Sequence, residues 1–177
     1  MNPGPLEERT PLLPDILAPN LDVIFVGAAA SHSSADAGHY YAGPTNKFWL
    51  VLYQSEFTPR LLRTQEDGEV LQYGIGLTGI YKQLSTSANH LLPQPSRALQ
   101  RELQDKLVQH SPRFVCYNGK DVYKLCTGRT CIDWGEQPEL IGDSRVFVAI
   151  SSSARADGWA KERVAQYREL RRLVLMR

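Results

Sequence analysis

LDVIFVGAAASHSSADAGHYYAGPTNKFW, residues 21–49, is the stretch on which the reading of the fold turns. Its first seven residues, LDVIFVG, are short, apolar and β-branched and close on a glycine, the pattern of a buried strand. Residues 28–45 are rich in Ala, Ser, Gly and Tyr and show no helical period. A structureless loop of that length inside a compact domain is usually functional. Over residues 46–57 the apolar spacing becomes helical, with Phe48, Trp49, Leu52 and Tyr53 expected on the core side.

Working outward, residues 1–14 are broken by Pro3, Pro5, Pro11 and Pro14 and read as a flexible N-terminal segment, leaving residues 15–177 as one domain. The glycine-rich YGIGLT, residues 73–78, is expected to lie against another backbone or a ligand. Residues 84–95 read as loop. Residues 96–110 carry Leu99, Leu103 and Leu107 on one helical face behind a possible Ser96 cap. A second buried strand is expected over residues 113–117, after which Asn118-Gly119 turns into a helix near Lys120. A third is expected over residues 146–150, followed by a polar turn over residues 151–157. Residues 159–174 read as a closing amphipathic helix with Trp159, Val164, Leu170 and Leu173 inward.

Strands alternating with helices predict an α/β domain, a three-layer sandwich whose central, mainly parallel sheet is flanked by helices. In such sheets the ligand sits beyond the carboxyl ends of the strands. The loops at residues 28–45, 118–120 and 151–157 are therefore expected to border one cleft.

The bulk properties set limits on function. The chain has 177 residues, 42% hydrophobic and 22% charged, enough for one core. Its net charge of +1 gives no sign of nucleic acid by itself, so any DNA reading rests on motifs. Cys116, Cys126 and Cys131 form no C-x-x-C pair, which speaks against a disulfide framework and a zinc site. Three thiolates also fall short of the four that a [4Fe–4S] cluster takes. No cofactor or metal is expected. With no apolar run of membrane-spanning length and no signal-peptide pattern, the expectation is a soluble monomer, cytoplasmic in a bacterium or nuclear in a eukaryote.

Four blocks together carry a resemblance. VGAAASHSSADAGHYYAGPTNKFW (residues 26–49) resembles the first motif of the mismatch-specific uracil- and thymine-DNA glycosylases. In that family a strand ends in Gly-Ile-Asn-Pro-Gly and a Gly-x-x-Tyr/Phe-x-x-Pro-x-Asn-x-Phe-Trp stretch follows. YGIGLTGIYK (residues 73–82) resembles the second block, YNGK (residues 117–120) the phosphate-side turn, and ISSSARAD (residues 150–157) the insertion loop of the thymine-DNA glycosylase branch. Order and spacing hold from about residue 16 to residue 173. The resemblance implies a base-excision-repair enzyme that flips uracil or a related damaged base out of DNA and releases it by hydrolysis, with DNA containing a damaged or mismatched base as its partner.

An enzyme of that kind must extract a base, enclose it and fill the gap. The resemblance assigns base binding to Gly27, Ala28 and Tyr41, with Tyr41 at the position of the stacking aromatic; an ordinary buried tyrosine is the alternative. It assigns DNA contacts to Asn118, Lys120, Ser151, Ser152, Ser153, Ala154 and Arg155. Arg155 matches the arginine that enters the duplex where the base leaves, and a planar cation suits that place. Asn118-Gly119-Lys120 also reads as a plain helix start or as the phosphate turn of a nucleotide-binding α/β domain. Asn46, Phe48 and Trp49 read as packing and loop-bracing, and His32 and His39 as structural or exposed.

The departures fall at the chemistry. The family's water-orienting asparagine aligns with Ala29, and the aspartate that some bacterial relatives use instead aligns with Gly79. Three readings stay open. Base departure leads and water follows unaided; Ser31, His32 or Asp36 takes over; or the site binds a flipped base without cleaving it. Backbone N–H groups over residues 28–31 would still support a leaving base. Small residues at 29 and 79 predict a roomier pocket.

Overall fold

The computed structural model describes residues 13–81 and 92–176. Residues 1–12 of the predicted lead-in lie outside that set, as do Lys82, His90 and much of the predicted loop over residues 84–95. Leu13, the penultimate residue of the lead-in, is buried.

Five strands form one sheet: β1 (Val23–Gly27), β2 (Ile75–Gly79), β3 (Phe114–Asn118), β4 (Gly135–Ile141) and β5 (Ser144–Ala149), in the order β2-β1-β3-β5-β4. All pairings are parallel except that of β4 with β5. Alternation along β1 sends side chains to both faces, and both faces are covered. Val23 and Phe25 pack with α2 (Phe48–Gln54) and α5 (Ala160–Leu175) through Phe48, Leu52, Tyr167 and Leu170. Ile24 and Val26 pack with α3 (Arg97–His110) and α4 (Lys120–Thr127) through Leu103, Leu107, Val122 and Tyr123. The predicted α/β sandwich, helices on each side of a mainly parallel sheet, is therefore the observed fold.

Phe25 anchors the first face. Its ring meets Phe48 edge-on at 5.4 Å and stacks on Tyr167 at 5.6 Å. Full burial of each such side chain is worth about 1.5–3 kcal/mol. Ser96 caps α3 as expected, its hydroxyl accepting from the Leu99 N–H at 3.2 Å.

Several local expectations need correction. Residues 28–45 contain α1 (His32–Ala37), a single short helix. α2 is shorter than expected; Tyr53 is exposed, and Val51 takes a buried place instead. Trp159, expected inward, is 61% exposed and precedes α5. The buried side of α5 runs through Arg163, Tyr167, Leu170 and Val174. The glycine-rich stretch is strand β2, and its small residues answer a close approach. A Cβ at Gly76 would come within 2.7 Å of the Leu21 side chain and 3.1 Å of the Ile16 carbonyl. Ile16 and Leu77 exchange backbone hydrogen bonds of 2.9 and 2.8 Å, closing that edge of the sheet. Among the described residues no helix is long and apolar enough to cross a membrane.

Candidate functional site

The loops that leave β1, β3 and β5 converge, as expected, on one cavity of about 780 Å³. Residues 27–31, Tyr41, residues 118–122 and residues 150–156 all contribute to its wall, and β2 adds Thr78 and Gly79.

The first loop is built by short polar links. Ser31 caps α1 by accepting from the Ser34 N–H at 3.2 Å, and Gly38 ends the helix in the left-handed region at φ 70°. The buried Ser34 hydroxyl then accepts from the Ala42 N–H at 3.1 Å, folding the returning chain over the helix. Asp67, buried, accepts from the Tyr40 N–H at 2.9 Å and meets His39 Nδ1 at 3.1 Å. The Tyr40 carbonyl accepts from the Trp49 indole at 3.3 Å and the Thr64 hydroxyl at 2.9 Å. His39 is thus a brace, in keeping with its structural reading.

These links hold Tyr41 at φ 52°, a left-handed conformation costly for an aromatic residue. In that conformation its ring stacks on Phe48, with centroids 3.9 Å apart and planes inclined by 22°. Tyr41 remains part of the cavity wall. The Tyr41 hydroxyl lies against Gly27, 3.4 Å from where a Cβ would stand. Burial pushes the phenol's pKa up to about 12, against a smaller downward pull from the Asn118 side chain. Tyr41 is therefore a neutral ring at physiological pH.

The second and third loops are tied to each other. Asn118 is buried; its carbonyl oxygen accepts from the Ser152 N–H and its amide donates to Ser152 Oγ, each at 2.9 Å. The Lys47 N–H donates to the Ser152 carbonyl at 2.8 Å, tying in the first loop as well. Ser152 has no exposed surface. Its hydroxyl and both backbone groups are bonded inside the protein, so Ser152 braces the site, with Asn118 beside it in the cavity wall. Ser151 and Ser153 are half-buried, and each hydroxyl accepts a loop N–H: Ser151 from Ser153, Ser153 from Arg155.

Arg163 is the residue the sequence reading missed. It is 2% exposed and donates to the carbonyls of Ser151 at 2.9 Å and Ser153 at 3.3 Å, and to Asp157 at 2.9 Å. It shapes the loop from below while Gln166 accepts from the Ile150 N–H at 2.7 Å. Ala154 and Arg155 then start a run of 3₁₀ turns, Ala154–Trp159, on the cavity side. Arg155 is exposed, and among the described residues nothing pairs with its guanidinium. Lys120 opens α4 with its ammonium 4.4 Å from the Trp134 ring centre.

The two positions aligned with water-holding residues differ from each other. Ala29 lines the cavity and is only half-buried. At Gly79 a Cβ would meet the Ala28 carbonyl oxygen at 3.0 Å, because that oxygen accepts from the Tyr81 N–H at 2.9 Å where β1 and β2 run on together. Gly79 lines the cavity, and a side chain there would press on that carbonyl. Of the candidate substitutes, Ser31 lines the cavity, whereas His32 and Asp36 are exposed and outside its wall. Asp121 is the one carboxylate in the wall among the described residues. Cys116 and Cys126 are buried, with thiol pKa values pushed up by burial, and Cys131 is exposed. Among the described residues no cluster of His, Cys, Asp and Glu is arranged to hold a metal.

The family described as the uracil DNA glycosylase superfamily matches residues 14–174. The solution NMR structure of a candidate uracil DNA glycosylase from Methanosarcina acetivorans is similar in fold, with a TM-score of 0.63 at 18% identity over 92% of this chain and 96% of that one.

Proposed function

This chain belongs to the uracil DNA glycosylase superfamily, and from that premise we propose that it excises uracil, or a related deaminated or oxidised base, from DNA in the manner of the mismatch-specific branch. The observation that carries the proposal is the placement of Tyr41. Three strand-end loops enclose a cavity, and a strained, neutral aromatic ring backed by Phe48 forms part of its wall. That is a platform for a flat apolar-faced ligand, and stacking of a base on such a ring is worth about 1–3 kcal/mol.

The steps follow from what surrounds the ring. The base rotates out of the stack and enters beside Tyr41, Gly27 and Ala28. Arg155, exposed on a loop pinned by Asn118 and Arg163, fills the space left behind. Lys120 and the hydroxyls of Ser151 and Ser153 face the backbone of the flipped nucleotide. Cleavage of the N-glycosidic bond leaves an oxocarbenium-like sugar and an anionic base, which the N–H groups over residues 28–31 support. With alanine at position 29, departure of the base leads and water follows.

A second reading has its own observation. No histidine lines the cavity among the described residues, and its one carboxylate, Asp121, is exposed at the start of α4. A protein so equipped would bind and shield a lesion without cleaving it. A base-release panel over uracil, hypoxanthine, thymine and oxidised pyrimidines, in single strands and duplexes, separates the two. Release from any of them supports the glycosylase, and tight lesion binding with no release from all of them supports the shield.

A further inference from the structure

The described part of the molecule leaves ten large hydrophobic side chains exposed, and only two of them, Trp134 and Trp159, line the cavity. They are 45% and 61% exposed, whereas the third tryptophan, Trp49, is buried with its indole N–H on the Tyr40 carbonyl. An exposed indole leaves a large apolar ring face in water, and two lining one cavity point to a flat partner. Each is accompanied by a cation. Lys120 sits over the Trp134 ring at 4.4 Å, and Arg155 lies in the same run of 3₁₀ turns as Trp159. Trp134 and Lys120 come from the chain before β4 and the start of α4, Trp159 and Arg155 from the loop after β5. The cavity wall thus carries two exposed indoles, with Lys120 over one and Arg155 in the same turns as the other.

We propose that Trp134 and Trp159 are stacking platforms for unpaired bases flanking the flipped nucleotide, so that this rim grips single-stranded DNA. Aromatic faces interleaved with cations suit a single strand, whose unpaired bases are free to stack while its backbone runs beside the charges. A duplex keeps its bases paired and is held mainly through many phosphate contacts. Lys120 and Arg155, two cations in the cavity wall, supply charge for the strand's phosphates beside the stacked bases. The inference rests on the glycosylase reading for what enters the cavity, but the grip itself is measurable without base release.

The test is fluorescence polarisation with a labelled twelve-nucleotide oligothymidylate carrying one central uracil, alone and annealed to its complement, against wild type, Trp134→Ala, Trp159→Ala, the double alanine variant and the two Trp→Phe variants. Each alanine variant should bind the single strand roughly five-fold or more weakly. Duplex affinity should change less, the salt slope should stay the same, and phenylalanine should restore most of the loss. Trp49 emission from the double alanine variant reports that the fold persists. Unchanged single-strand affinity in both alanine variants, or equal losses on strand and duplex, would overturn the inference. Weakened single-strand binding in a protein that releases no base would sink the glycosylase reading and leave the rim standing. Base release with rim variants that bind as wild type does would do the reverse.

Discussion

The side-chain amide of Asn118 grips Ser152 at two points, backbone N–H and hydroxyl, and so locks the end of β3 to the loop that follows β5. Both partners are buried, and deleting one leaves a polar group without its match, at a cost of about 1–3 kcal/mol. Ser152→Ala should therefore lower the melting temperature by about 2–4 °C per kcal/mol lost. Its DNA affinity should keep the wild-type dependence on salt, because no phosphate contact is removed. Thermal denaturation and a salt titration check both halves. A shallower salt slope would return Ser152 to the DNA surface.

Tyr41 gives a paired prediction. Tyr41→Phe keeps the ring on Phe48 and should preserve lesion binding, whereas Tyr41→Ala removes the platform and should weaken binding of a flipped base far more than of undamaged duplex. The phenol also predicts an alkaline effect. Burial holds its pKa near 12 in the folded chain, while the unfolded chain loses the proton near the ordinary value of 10.0. The folded state thus retains a proton that the unfolded state gives up. Stability from this group is complete below about pH 10 and declines as pH rises towards 12. Tyr117 and Tyr167, also buried, shift in the same direction, so Tyr41→Phe should flatten the alkaline decline without abolishing it. Denaturant melts from pH 8 to 11 give the comparison.

Positions 29 and 79 should behave differently despite similar residues. Ala29 borders open cavity, so Ala29→Asn has room to orient a water and should raise single-turnover release of uracil. Gly79→Asp places a Cβ 3.0 Å from a backbone oxygen that is already hydrogen-bonded, and should destabilise the protein by about 1–3 kcal/mol with no gain in rate. Equal gains at both positions would contradict this placement.

Much of the fold is legible where apolar content and burial coincide. β1, β3 and β5 are buried on both faces, so each reads as a short apolar run. β4 escapes because its sequence, GEQPELI, is that of an outer strand; only Gln137 and Ile141 are buried. Gly142-Asp143, a two-residue link between β4 and β5 with Gly142 at φ 58°, is the hairpin signal that would have revealed it. On α5 the buried side passes through Arg163, and a charge there hid the true face and let Trp159 take its place. The cleft follows from topology, since loops at the carboxyl ends of parallel strands must meet. The division of the Ser151–Ser153 loop between bracing and exposure does not follow, because it depends on which hydroxyl Asn118 reaches.

Arg155 separates flipping from surface binding. A wedge that replaces the departed base matters most where unstacking is costly. Arg155→Ala should therefore slow release most from well-paired duplex, less from a mismatch and least from a single strand. A simple phosphate contact predicts comparable losses on matched and mismatched duplexes, recovered at low salt. Single-turnover rates on the three substrates decide between them.

Single-turnover excision from an end-labelled oligonucleotide with one uracil, read as alkali-labile strand breaks, bears most directly on the proposed glycosylase. Wild type in excess should convert the strand to the cleaved product, and Tyr41→Ala should do so much more slowly while remaining folded. An intact strand after prolonged incubation with wild type, for uracil and for every other base in the panel, would contradict excision and leave a protein that holds a flipped base without releasing it.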